Sequence, residues 1–237
     1  MDKIAERLKR IKTGKILDVA TGGGQFVNLL MNSLGKYDKI IGIDTNKKAA
    51  QAFETNFKDK PVEFQNKDAY KIDFDDESFD MVSISNSLHH FEDIDKILSE
   101  MKRVLKKDGY FIISEMHCEK GQTETQKTHI LLHHWWASVD SRLGIYHEET
   151  LKKEAIKQLI EELDLKEREF FDYTHQIEDP KDPKLTEYLL NSIDPYVNRI
   201  SEHKDFEMLK QTGNELKERL KNIGYSSASL VFVIGKK

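Results

Sequence analysis

The stretch DVATGGGQF, residues 18–26, closes a short apolar run, KILDVA (15–20), and leads into a helical stretch near 24–35. Glycines at such a junction let the backbone turn tightly and bring its amides close to a ligand at a helix N-terminus. Twenty residues beyond Gly24 a second apolar run, KIIGID (39–44), ends in Asp44. A carboxylate at a strand end can accept from both hydroxyls of a ribose. The loop alone is a weak signal; followed by the strand-terminal acid, it points to a ligand that carries a nucleoside.

Outward from the loop, VEFQNKD (62–68), FDMVSIS (79–85) and GYFIISEM (109–116) continue the series of apolar runs, with helical stretches near 46–58 and 92–107 between them. Short buried strands alternating with helices predict a parallel sheet covered on both faces. The second half reads differently. Helical stretches lie near 122–142 and 148–163, and KEREFFDYTH (166–175) and SASLVFVIGKK (227–237) read as strands. Between these strands Asp179-Pro180, Asp182-Pro183 and Asp194-Pro195 each carry a helix-start signal, Asp as cap and Pro in the first turn. Phe206, Leu209, Gly213, Leu216 and Leu220 share one face of a longer helix that Gly224 is placed to end. The expectation is one domain over 1–237. Residues 1–117 form its ligand-binding half, and 118–165 and 176–226 form helical elements that cap a substrate.

Composition narrows the classes. Charged residues make up 33% of the 237, and the net charge is −5. That balance disfavours a nucleic-acid backbone as partner, because such domains usually present a basic face. The single cysteine, Cys118, excludes an internal disulfide and fits a reducing cytosol. No secretory signal is expected in MDKIAERLKRIK, and the longest apolar run, LVFVI (230–234), is far short of the ~20 residues of a membrane helix. A cytoplasmic protein without membrane contact is expected.

Loop and acid fit two nucleoside ligands, a nicotinamide dinucleotide and S-adenosylmethionine. The dinucleotide loop G-x-G-x-x-G needs a third glycine for close helix–strand packing, and counting from Gly22 that place is Val27. Asp18 stands before the loop, where it could hold a cationic amino-acid end through water or backbone amides. Asp68, at the end of the third strand, is positioned to accept from an adenine amino group. The series ILDVATGGGQF, IIGIDTN, NKDAYKIDFDDESFD, SISNSLHHF and MKRVLKKDGYFIISE resembles the class I S-adenosylmethionine-dependent methyltransferases, closest to the ubiquinone/menaquinone-biosynthesis and small-molecule branch, over roughly residues 12–117. The resemblance implies a Rossmann-like α/β fold, a seven-stranded sheet of order 3-2-1-4-5-7-6 with the last strand antiparallel. It places Gly22 and Gly24 at the methionine moiety, with Ala20 standing where the family often has glycine. It puts Asp44 with Thr45 at the ribose, Asp68 and Ala69 at the adenine, and Ser85 and Asn86 beside the sulfonium.

The stretch HILLHHWWASVD (129–140) is the second candidate. Helical spacing puts Gln122, Gln126, His129, His133, Trp136 and Asp140 on one stripe, about four turns long. Apolar residues rather than charges border it: Ile130 and Ala137 on one side, Leu132 and Val139 on the other. A polar stripe inside an apolar margin reads as a pocket wall. His134 and Trp135 lie off it and read as packing residues, while Leu131 is on the opposite face and is expected to be buried. The stripe fits best with substrate recognition or general-base work by His129 and His133, with hydrogen-bonded structural histidines as the alternative. A metal pair at His129 and His133, with His117 or Asp140, is a further alternative; no metal is assigned. His89 and His90 follow the fourth strand, one expected to touch the ligand and the other to pack.

The expected activity is in-line transfer of the S-adenosylmethionine methyl group to a small-molecule acceptor. His133, His129 and His90 are the candidate catalytic residues, and His89, His117, Gln126, Trp136 and Asp140 the candidate acceptor contacts. The alternatives are a methyltransferase acting on RNA or protein, and a non-catalytic S-adenosylmethionine-binding partner protein.

Overall fold

The computed structural model describes residues 2–237. Helix α1 (Asp2–Lys9) precedes β1 (Lys15–Val19), α2 (Gln25–Ser33), β2 (Lys39–Asp44), α3 (Lys47–Asn56) and β3 (Val62–Asn66). Then come β4 (Phe79–Ser85), α4 (Ile94–Val104), β5 (Leu105–Met116), α5 (Glu124–Arg142), α6 (Lys153–Glu162) and β6 (Lys166–Tyr173). Helices α7 (Pro183–Val197) and α8 (Phe206–Asn222) separate β6 from β7 (Leu230–Lys236). The sheet runs β3-β2-β1-β4-β5-β7-β6. Neighbours from β3 to β5 pair in parallel, and β7 is antiparallel to both β5 and β6.

The central strands are apolar throughout because both faces are covered. Leu17, Val19, Val82, Ile84, Phe111 and Ile113 point into one core and Ile16, Met81, Ile112 and Phe232 into the other. At such strands a polar residue needs a partner. Register sets Asp18 level with Gly42 on β2 and Ser83 on β4, which is how its carboxylate finds one.

A third apolar cluster lies apart from the sheet. Leu132, Trp135 and Val139 of α5 pack on Leu189, Ile193 and Val197 of α7 and on Leu209, Leu216 and Leu220 of α8. The Trp135 Nε1 donates to the Leu209 carbonyl at 2.8 Å. Gly213 makes the crossing possible, since a Cβ there would stand 3.0 Å from both Ile193 and Trp135.

Three expectations are corrected. Leu131 is 44% exposed: α5 buries one flank against α7 and α8 and turns its polar stripe toward the sheet, so the face opposite the stripe is left outside. Asp194-Pro195 lies inside α7 rather than starting a helix; only Asp182 acts as the cap, its side chain accepting from the Leu185 amide. The helix expected from 148 begins at Lys153. Amides before it are engaged elsewhere, Glu148 N with the His89 carbonyl and Thr150 N with His134 Nε2. Gly224, with φ of 93°, does end α8.

Candidate active site

Two groups of side chains meet at the carboxyl ends of the strands, where open α/β sheets bind ligands. On the first side, Asp18 is 1% exposed, and its two oxygens accept from Ser83 Oγ at 2.6 Å and Thr21 Oγ1 at 2.7 Å. Burial outweighs these bonds and pushes the Asp18 carboxyl up to about 6, with nearby Asp44 adding to the rise. Asp44 accepts from the Gly22 amide at 2.9 Å and the Asn46 amide at 2.8 Å, which ties the loop to β2. Gly24, with φ of 85°, is the glycine that the turn cannot replace: a Cβ would stand 2.2 Å from the Phe57 ring. Ala20 adopts a left-handed φ of 52° at the place where the resembled family often has glycine.

A cavity of about 210 Å³ opens beside this loop, lined by Ala20, Ile43, Asp44, Thr45, Asp68, Ala69, Tyr70, His90 and Phe91 among others. A lining that combines apolar Ile43, Ala69 and Phe91 with the carboxylates of Asp44 and Asp68 fits a nucleoside, with apolar groups for a flat ring and acceptors for its hydroxyls and amine. Asp68 also caps the turn that follows, accepting from the Tyr70 amide at 2.8 Å. The residues therefore suit the adenosine of S-adenosylmethionine. Asn86 spends its side chain differently. Its Oδ1 accepts from the Met116 amide at 3.0 Å, joining the ends of β4 and β5.

On the second side, His89 and His90 from the turn after β4, His133 from α5 and His147 from the loop after α5 bring ring nitrogens within 4.8 Å of one another. Ring centroids are 4.5 Å apart for His89 and His133, and 4.1 Å for His90 and His147. Carboxylates hold two of the rings from behind. His89 Nδ1 lies 2.7 Å from Glu115 Oε1, and Glu115 Oε2 accepts from the Ser87 and Leu88 amides at 3.0 and 3.2 Å. His147 Nδ1 lies 2.8 Å from Asp140 Oδ2, which also accepts from the Tyr196 hydroxyl, while Arg199 bonds the other oxygen. Burial opposes ionisation of Asp140, but His147, Tyr196 and Arg199 outweigh it and hold the carboxyl below the usual range. Burial first, then the charge of neighbouring imidazoles, holds His133 well below the ordinary histidine range. His90 is shifted in the same direction by enclosure of its ring and by His89 and His147, although it presents an exposed edge.

The α5 stripe is thus not one wall. Its first half is bonded to the chain entering β7: Gln122 Oε1 accepts from the Ser229 amide, Gln126 Nε2 donates to Ser227 O and Ser229 Oγ, and His129 Nδ1 accepts from the Ala228 amide. Gln126 also closes a capping box with Thr123 at the start of α5. His117 sits with Gln122 at the end of β5, outside the four-histidine group. His129 is not part of that group either. The second half, His133, Trp136 and Asp140, does reach the site, with the Trp136 ring centroid 6.4 Å from that of His133. His89 and His90 both join it, and of the two it is His90 that also lines the donor cavity. Sequence reasoning missed His147, Glu115, Tyr196 and Arg199. Glu115 had a legible signal, an acid inside the apolar run FIISEM (111–116); His147 had none.

The strand order with an antiparallel β7, the glycine loop after β1, the acid ending β2 and the acid just beyond β3 define a class I S-adenosylmethionine-dependent methyltransferase architecture. Residues 17–113 match the family described as a methyltransferase domain. A demethylmenaquinone methyltransferase of Bacteroides fragilis is 34% identical over 113 residues, 46% of each chain. That of Thermotoga maritima is 32% identical over 114 residues, 48% of each. The matched segment thus spans about half the length of these curated relatives. Among solved structures, the YcgJ protein of Bacillus subtilis superimposes with a TM-score of 0.60 at 17% identity, covering 100% of this chain and 97% of that one. Phosphoethanolamine N-methyltransferase 2 of Haemonchus contortus, solved with S-adenosyl-L-methionine, gives 0.56 at 22% identity, covering 99% and 51%. At these identities the structural likeness establishes the fold.

Proposed function

We propose that the protein transfers the methyl group of S-adenosylmethionine to a small-molecule acceptor held against the histidine group. The observation that carries this reading is His90, which both lines the nucleoside-shaped cavity and belongs to the four-histidine group. Donor and acceptor sides therefore share a wall. The cofactor supplies an activated methyl on a sulfonium. The chain's own residues have to bind, align and exclude water, and alignment of the reacting groups contributes much of the rate. Asp44 and Asp68 would hold the adenosine, and the loop from Ala20 to Gly24 would hold the methionine part. His133, Trp136 and the loop carrying His147 would enclose the acceptor.

A small acceptor is favoured over RNA or protein because three of the four histidines are buried, enclosed by α5, by the 143–152 loop and by Tyr196 and Arg199 of the segment after β6, and because the net charge is −5. The demethylmenaquinone methyltransferase relatives support an acceptor of metabolite size. No helix among the described residues is long and apolar enough to cross a membrane, and the cytosol is the compartment in which the cofactor would be met. The test is incubation of purified protein with isotopically labelled S-adenosylmethionine and a cell metabolite extract, followed by mass spectrometry. A labelled metabolite of low mass supports the reading. Label found only in RNA or protein would reverse the choice of acceptor, and cofactor binding without label in any fraction would favour a non-catalytic binding protein.

A further inference from the structure

The histidine group is over-built for hydrogen bonding alone. Glu115 and Asp140 can only accept when ionised, so the ring nitrogens facing them, Nδ1 of His89 and of His147, carry the hydrogens. Each ring then turns a bare Nε2 lone pair into the group. Nε2 of His89, the nitrogen left over once Nδ1 faces Glu115, is buried without a partner. His89 and His133 are 2% and 7% exposed, and a buried polar atom left unpaired is costly. Among the described residues the one polar contact of His147 Nε2 is His133 Nε2 at 3.4 Å, long for a hydrogen bond between two nitrogens. That separation is close to the edge of a tetrahedron around an ion with nitrogen bonds of ~2.0–2.1 Å, which is ~3.3 Å. A carboxylate behind an imidazole, fixing its tautomer and aiming the opposite nitrogen, is the usual support of a metal-bound histidine. Here it occurs twice, and each carboxylate is itself anchored, Glu115 by two amides and Asp140 by Tyr196 and Arg199.

We propose that His89, His90, His133 and His147 bind a divalent transition-metal ion of the zinc class, with Glu115 and Asp140 as its outer carboxylates. An all-imidazole donor set suits zinc, nickel, copper or iron and is a poor match for magnesium or calcium, which take oxygen ligands. Three ligands are buried, while His90 is exposed and borders the donor cavity. His90 is therefore the ligand that a heteroatom of the acceptor would replace. That consequence rests on the methyl-transfer reading; the ion site itself does not.

The test uses tag-free full-length protein, stripped with a chelator and titrated with zinc chloride by calorimetry, then with cobalt(II) by visible absorption. Wild type should bind one zinc per chain and give the intense absorption of tetrahedral cobalt. His133→Gln and His147→Gln should each weaken zinc ~100-fold or more, and Asp140→Asn, which leaves all four rings in place, about 10–100-fold. His129→Gln, one turn away on the same helix, should bind as wild type. Melting curves of each variant, taken without metal, separate lost ligands from lost folding. Absence of stoichiometric zinc and cobalt binding by wild type would overturn the site, as would undiminished binding by the folded His133→Gln/His147→Gln double variant. Protein that binds zinc but not S-adenosylhomocysteine would keep the site and discard the methyl-transfer reading.

Discussion

The acids of the donor side are held by groups close by on β1, β2, β4 and the glycine loop, whereas the histidines are held by side chains gathered from β5, α5 and the segment after β6. Asp44, at the end of β2, accepts from Gly22 in the loop after neighbouring β1 and from Asn46 two residues further on. His147 depends on Asp140, which depends on Tyr196 and Arg199, more than fifty residues further along the chain. The donor side is a local device laid on a sheet. The histidine side exists only once the helices of the second half have packed.

That difference predicts separable losses, and the largest is in turnover. His133→Ala should lower methyl transfer by ~10²-fold or more while leaving cofactor affinity near that of the parent, because the proposed cofactor contacts lie at the ends of β1, β2 and β3. Steady-state rates and calorimetry with S-adenosylhomocysteine measure the two effects; parallel losses in both would erase the distinction between the sides.

Next in size is a pH effect confined to the donor side. The folded protein keeps Asp18 protonated up to about 6, against an ordinary value of 3.8. Between those values the folded state binds more protons than the unfolded chain, so this group's contribution falls as pH rises. The loss is complete above the folded value and amounts to ~3 kcal/mol. Urea denaturation of wild type and Asp18→Asn at a series of pH values should show the difference between them shrinking from acid to neutral pH. Parallel curves would show that Asp18 is not strained by its burial.

These contrasts explain what could be read in the chain and what could not. Asp44 and Asp68 were legible because a strand end and a glycine loop are local in sequence and their spacing follows from the fold. His147 was not, because the Glu148 amide's bond to the His89 carbonyl, joining distant segments, fixes its loop. The α5 stripe was half legible. Helical periodicity grouped Gln126, His129, His133 and Asp140 on one face, but it carries no information about β7, whose approach takes up the first half of that face. Leu131 was misplaced for a related reason: periodicity finds faces, and only packing decides which of them is covered.

A smaller effect sharpens the donor side. Asp44→Ala should weaken S-adenosylhomocysteine by ~1–3 kcal/mol, through loss of the ribose acceptor and of the bonds to Gly22 and Asn46, without changing zinc binding at the histidines. Calorimetry of both ligands on the same variant checks this, and a matching loss of zinc would mean that the two sides are not independent. The smallest effect is expected at Leu131→Ala, within about 0.5 kcal/mol of wild-type stability because the residue is exposed. Trp135→Ala, four positions on and buried between α7 and α8, should cost about 3–5 kcal/mol; thermal denaturation of the pair decides whether the helical half is packed as described.

The arrangement of the two sides is tested most directly by a crystal structure of the protein with S-adenosylhomocysteine. The account predicts the adenine over Asp68 and Ala69, the ribose hydroxyls on Asp44, and the sulfur facing His90 and the histidine group. A nucleoside bound elsewhere, or a sulfur turned away from His90 toward solvent, would contradict it.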